Sequence, residues 1–134
     1  GLNSIFNPLA IPSVIYTNPE IAWAGYTEEE LKNQQIKYNK AIFPWSASGR
    51  AMTTGNTTGK TKILTSEDNS KILGIGITGS NAGELIGEAM LAIEMGANIE
   101  DISLTIHAHP TLSETIANAS EMLTKTITDL YIKN

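Results

Sequence analysis

An α+β fold, an antiparallel β-sheet with helices packed on one face, is what this sequence predicts, and three observations carry the prediction. Strand-like segments come first and clearly helical ones last. No regular strand–helix–strand alternation runs through the chain, which argues against a parallel sheet. In the middle, GKTKILTSEDNSKILGIGITG reads as two strands joined by the turn-forming residues Ser66 to Ser70, the centre of an antiparallel meander.

Taken in order, IPSVIYTNPE opens with an apolar, β-branched run, Ile11 to Tyr16, and closes at Asn18-Pro19, a strand ended by a proline turn. YTEEELKNQQIKY starts a helix. Thr27 is its N-cap, Glu30 completes a capping box, and Glu28 and Glu29 suit the positive end of the helix dipole. Few of its residues are apolar, so it reads as a surface helix of about two to three turns. KYNKAIFPWSAS is extended, and Pro44 places it at an edge or a bulge. SGRAMTTGNTTG, rich in Gly, Thr and Asn, reads as a loop or a loosely paired strand.

After the meander, NAGELIGEAMLAIEMGA repeats Leu85, Ile86, Ala89, Met90 and Ile93 at helical spacing, and Gly96 supplies the stop. Gly83 and Gly87, one turn apart, allow this helix to approach a neighbour closely. NIEDISLTI is a short helix or turn. PTLSETIANASEMLTKTI is the last helix, with Leu112, Ile116, Ala119 and Leu123 on one face.

Composition bounds the function. A chain of 134 residues, 41% hydrophobic and 17% charged, suits one globular domain. No apolar run approaches the roughly 18 residues that span a bilayer, so no membrane partner is expected. The net charge of -5 argues against a nucleic-acid partner. Zero cysteines exclude a disulfide scaffold and any thiol chemistry carried by this chain. A start at Gly1 rather than Met assigns residues 1–7 to a tag scar or a linker from an upstream domain, and 8–134 to the domain itself.

GIGITG, residues 74 to 79, matches the dinucleotide pattern G-x-G-x-x-G. That fingerprint needs a strand ending at the first Gly, a helix starting within the motif, and an acidic residue after a second strand. Ile75 and Ile77 alternate with the glycines instead, so a strand runs through the motif and no nucleotide site is expected.

The richest stretch is HAHPTLSE, residues 107 to 114, which holds both histidines of the chain. Three readings stand. In the structural one, Pro110 occupies the first position of the last helix, Thr111 is near its cap, and Glu114 completes a capping box. In the second, His107 and His109 share one face of an extended segment and bind a metal; zinc would need a third ligand that the sequence does not name, and no metal is assigned. In the third, His109 is an acid–base group. Histidine titrates near neutrality, at about 6.5 unperturbed, and a carboxylate on one ring nitrogen orients such a base. Glu114 lies one turn beyond Pro110 and its side chain points back toward His109. One carboxylate is not expected to serve fully as both cap and partner.

HAHPTLSE resembles the carboxyl-terminal signature of the dihydrolipoamide dehydrogenase family, within the pyridine nucleotide-disulfide oxidoreductases. IPSVIYTNPEIAWAGYTEEEL, GRAMTTGNTTGKTKIL, KILGIGITGSNAGELIGEAMLAIEMGA and EDISLTIHAHPTLSE resemble the family's dimerisation domain in the same order, from Pro8 onward. The family's FAD- and NAD-binding domains and its redox-active cysteine pair lie upstream of that domain. The resemblance implies a homodimer in which His109 is the acid–base residue and Glu114 its partner. It also implies that the main chain of His109 and Pro110 touches the FAD of the partner subunit. FAD and NAD are the cofactors of the complete enzyme, and dihydrolipoyl groups of 2-oxo-acid dehydrogenase complexes are the substrates. This domain alone binds neither cofactor and is expected to be inactive. Cytoplasm is the implied compartment, or the mitochondrial matrix in a eukaryote. Leu104 stands where some members carry Arg, so no interface salt bridge is inferred there.

The same domain of a glutathione or mercuric reductase, or a dimerisation module without catalysis, are the competing readings. The role of His107 stays open between packing and tuning the site. Two structural expectations follow: a cis His109–Pro110 bond, as is typical of the superfamily, and exposed apolar surface on the last helix and the sheet face.

Overall fold

The structure, a computed structural model, describes residues 3–131. Five strands form one antiparallel sheet in the order β1-β2-β5-β4-β3: β1 Ser13–Ile15, β2 Glu20–Gly25, β3 Asn39–Pro44, β4 Lys60–Thr65 and β5 Ile72–Gly79. The helices are α1 Glu28–Asn33, α2 Gly49–Thr54, α3 Ala82–Glu94, α4 Ile99–Ser103 and α5 Glu114–Thr124. The expected α+β class is the observed one, and β3-β4-β5 is the expected meander. α3 packs on β1, β2 and β5, and α5 on β3 and β4, so the two long helices share one face of the sheet.

Side-chain alternation explains that face. Ala22 pairs with Ile77, Ala24 with Ile75, Ile63 with Ile75 and Phe43 with Thr61; all are buried. Alternate positions carry Ile21, Trp23, Lys62 and Lys40 to the opposite face. There α1 is tied down by Glu28, which accepts hydrogen bonds from Lys62 Nζ at 2.6 Å, Lys40 Nζ at 3.0 Å and the Tyr38 hydroxyl at 3.1 Å. The Thr27–Glu30 capping box forms as expected, although α1 has only six residues. β3 with Pro44 is an edge strand.

Several expectations are corrected. The first strand is Ser13–Ile15, and the cis Asn18–Pro19 turn leads into β2, which the sequence did not announce. SGRAMTTGNTTG is not a loop throughout: Ser48 caps the six-residue α2, and Gly55 ends it in the left-handed region at φ 72°. The last helix begins at Glu114, not Pro110; Ser113 precedes it with no side-chain cap. Gly83 does approach a neighbour, since a Cβ there would sit 3.1 Å from Val14 Cγ1, but Gly87 faces open space. The last helix is not an exposed apolar face either: Thr115 to Ser120 are all buried.

The glycines of GIGITG have packing reasons. β5 runs through the motif. At Gly74 a Cβ would collide with the Tyr26 carbonyl, whose residue donates its N–H to Leu73 O at 2.8 Å. At Gly79 it would run into the Trp45 ring. Trp45 is fully buried, and its indole N–H starts a chain of hydrogen bonds. It donates to Thr61 Oγ1 at 3.0 Å; Thr61 and Thr115 hydroxyls are 2.8 Å apart; Thr115 donates to Leu112 O at 2.7 Å. Each hydroxyl has one proton, and that of Thr115 is committed to Leu112, so Thr61 is the donor to Thr115. The chain fixes the entrance to α5 against the core.

Candidate functional site around His109

α4 ends at Ser103 with Leu104 as its C-cap, and residues 105 to 113 cross to the start of α5. The two histidines of this crossing part company. The His107 side chain is 8% exposed and turns toward α3, whereas that of His109 is 77% exposed. The expected common face is absent because the chain turns between them. Thr111 Oγ1 donates to Ala108 O at 2.7 Å, closing the turn around a cis His109–Pro110 bond, the isomer expected.

His109 meets Glu114. His109 Nδ1 lies 2.8 Å from Glu114 Oε1, and the other carboxylate oxygen, Oε2, accepts the Thr111 N–H at 2.7 Å. The predicted competition between partner and cap therefore does not arise, since each oxygen takes one task. The bond to Thr111 has the form of a capping interaction but is made one turn before the helix begins. A carboxylate only accepts, so Nδ1 carries a proton, and in the neutral ring the lone pair is then on Nε2. Nε2 has no hydrogen-bond partner among the described residues.

The N-terminal end of α2 backs the ring: a Cβ on Gly49 would lie 3.8 Å from His109 Cε1 and from Pro110 Cβ. Beside the pair is a cleft of about 280 Å³, lined by Ser48, Gly49, Met52, His109, Glu114 and Asn118 among others. Asn118 Nδ2 donates to Asp129 Oδ2 at 2.9 Å on its wall.

His107 makes two bonds that sequence reasoning did not foresee. Its Nδ1 is 2.8 Å from Thr105 O and its Nε2 is 2.6 Å from Glu88 Oε1. Burial alone pulls the His107 pKa down, but the bonds to Glu88 and Thr105, with the charges of Glu88 and Glu114, outweigh it and leave the value raised. The available signal was a lone glutamate inside the apolar run LIGEAMLAI. The metal reading finds no group of three His, Asp or Glu side chains among the described residues.

Comparison with known proteins places the chain in a family. Residues 11–120 match the family described as pyridine nucleotide-disulphide oxidoreductase, dimerisation domain. The chain belongs to that family. A dihydrolipoyl dehydrogenase from Buchnera aphidicola (subspecies Acyrthosiphon pisum) is 57% identical over 130 residues, covering 97% of this chain and 28% of the relative. One from Haemophilus influenzae is 52% identical, covering 97% and 27%. A mitochondrial dihydrolipoyl dehydrogenase from Dictyostelium discoideum is 53% identical over 111 residues, covering 83% and 23%. The chain thus spans about a quarter of the length of these relatives. Among solved structures, LpdA from Mycobacterium tuberculosis superposes with a TM-score of 0.83 at 22% identity, covering 90% of this chain and 26% of that one. The flavoprotein disulfide reductase RclA from Escherichia coli gives 0.81 at 20% identity, covering 87% and 26%. These two support the fold of a dimerisation domain.

Proposed function

We propose that this chain is the dimerisation domain of a dihydrolipoyl dehydrogenase and that His109, ordered by Glu114, is its acid–base residue. The observation that carries the reading is the 2.8 Å His109–Glu114 bond on a ring that is 77% exposed. A bond to a carboxylate at Nδ1 holds one tautomer and leaves a basic Nε2 facing outward. A dihydrolipoyl thiol reaching that nitrogen would lose its proton to it. The resulting thiolate, not the thiol, is the nucleophile for disulfide exchange. Glu114 then faces an imidazolium, which its charge stabilises.

The cysteine-free chain needs a disulfide from outside itself. In this reading it comes from the partner subunit of a homodimer, so each site is built from two chains. FAD and NAD, held by other domains of the complete enzyme, would supply the redox chemistry. This chain would meet FAD through the main chain of His109 and Pro110. His109 and Pro110 are exposed, and their main-chain groups make no backbone hydrogen bond among the described residues. That leaves the His109 carbonyl free to accept from a flavin, while the bulk of the cofactor belongs to other domains. Lipoyl groups of 2-oxo-acid dehydrogenase complexes are the proposed substrates, and the cytoplasm the proposed compartment. Identities above 50% to relatives of this name favour the lipoamide enzyme over a glutathione or mercuric reductase.

The test is His109→Gln in the complete dimeric flavoenzyme. Lipoamide turnover should fall by about 10²–10⁴-fold, the range for losing a general acid–base group. Transfer from reduced nicotinamide to a dye, which bypasses the thiol step, should persist. Lipoamide turnover within twofold of wild type would sink the assignment.

A further inference from the structure

His107 is neither a second catalytic histidine nor simple filler, and its hydrogen bonds say why. Both ring nitrogens face atoms that can only accept: the Thr105 carbonyl at 2.8 Å and the Glu88 carboxylate at 2.6 Å. A neutral imidazole has one N–H, so one of these contacts would set lone pair against lone pair. An imidazolium satisfies both. The His107 side chain is 8% exposed, so most of the ring is shielded from water. The bond to Glu88 joins the crossing segment to the middle of α3, an element that packs on β1, β2 and β5. His109 stands two residues further along the same segment.

We propose that His107 is a positioning residue: as an imidazolium stapled between Thr105 and Glu88, it fixes the 105–110 segment on α3 and so sets where the His109 ring emerges. The inference rests on the acid–base reading of His109 for its effect on turnover, but not for the state of His107 itself. The groups facing His107 are acidic. Glu88 bonds to it from α3, and Glu114 and Glu121 act on it from α5. Asp129 in turn acts on Glu121, whose pKa is raised by burial first and by Asp129 second. The folded pKa of His107 is raised, so the staple is complete below the ordinary histidine value and loosens as pH rises through the raised one.

The experiment has two arms. In the first, nitrogen-15 NMR follows the His107 ring in this chain. Both ring nitrogens should be protonated at about pH 6.5, and Glu88→Gln, which removes the carboxylate that raises the value, should lower the His107 midpoint. A neutral His107 ring at that pH, or an unmoved midpoint in Glu88→Gln, overturns the staple. In the second arm, the complete flavoenzyme carries His107→Phe or Glu88→Leu, two independent ways of removing the bond to α3. Either should lower lipoamide kcat by about tenfold, the scale of a misplaced rather than missing group, with nicotinamide-to-dye transfer within about twofold. Glu88→Gln should recover most of the loss. Its amide can donate to a neutral ring whose Nδ1–H still holds Thr105. Lipoamide kcat within twofold in both disrupting variants, or both activities falling together, overturns the positioning role. His109→Gln is the control. If it leaves turnover unchanged, the acid–base reading fails, while the NMR arm still decides the staple.

Discussion

Glu114 divides its carboxylate between His109 and Thr111, with Oε1 2.8 Å from the His109 ring and Oε2 2.7 Å from the Thr111 N–H. The division makes an amide a poor substitute. Gln has one acceptor and one donor at its tip, and the Thr111 N–H requires the acceptor. The NH₂ then faces Nδ1, which must accept, so the ring proton moves to Nε2. That is the tautomer unable to take a proton there. Glu114→Gln in the complete flavoenzyme should therefore reduce lipoamide turnover, by about ten- to a hundredfold. The loss should be smaller than that of His109→Gln, because the alternative tautomer stays thermally accessible. Steady-state lipoamide kinetics beside dye reduction measures both.

Thr115 follows Glu114 and belongs to the buried chain Trp45–Thr61–Thr115–Leu112. Thr115→Val removes the acceptor of Thr61 and the donor to Leu112 O in a fully buried place. The expected cost is about 1–3 kcal/mol in urea unfolding, from stranded polar groups. Thr115→Ser keeps the hydroxyl and should recover most of it. A loss in Thr115→Ser as large as that in Thr115→Val would mean that the packing of the Thr115 methyl matters as much as its hydroxyl.

The features legible in the sequence were those decided within a few residues of each other. The Thr27–Glu30 box, the Ser66–Ser70 turn and the helical repeat of α3 follow from local hydrogen bonding and periodicity. So did the His109–Glu114 contact, because only five residues separate its members. β2 was hidden because its buried side is Ala22 and Ala24, small enough for a close helix, while the larger Ile21 and Trp23 face the other way. Hydrophobic alternation there is inverted in size and gives a faint signal. α2 has one buried apolar residue, Ala51, and is defined mainly by Ser48 and Gly55 at its ends. Glu88 lies 19 residues before its partner His107, a pairing that only the packing of α3 creates.

Glu28 predicts an acid dependence. Its bond to Lys62, with those of Lys40 and Tyr38, outweighs the opposing effect of burial and holds its pKa at about 2, below the usual 4.5. A depressed carboxylate contributes stability above its unfolded value and loses it as pH falls through the folded one. The window is therefore about pH 4.5 down to 2. Both lysine partners are partly exposed, so screening holds the contribution to about 1 kcal/mol. Glu28→Gln should lower Tm at neutral pH, and the gap to wild type should close as the pH approaches 2. A gap independent of pH would mean that the charge of Glu28 is not what ties α1 to the sheet.

The final prediction concerns self-association. The exposed apolar side chains do not lie on α5, where Thr115 to Ser120 are buried. They include Leu91 and Met95 at the end of α3, 64% and 75% exposed, and Leu104 and Ile106 in the crossing segment, 78% and 97% exposed. Leu104 and Ile106 flank the approach to His107 and His109. Apolar groups this open are costly in water, and a dimerisation domain has a second copy of itself to cover them. The 134-residue chain should sediment as a dimer in concentration-dependent equilibrium with monomer. Leu104→Glu and Ile106→Glu each place a charge where neither fold nor core requires an apolar group. Each should shift the chain to monomer, about tenfold or more in Kd, while leaving Tm of the monomer within a few degrees. If neither substitution moves the equilibrium, the contact between copies lies away from the crossing segment. The two histidines would then not be drawn toward the partner subunit by this surface.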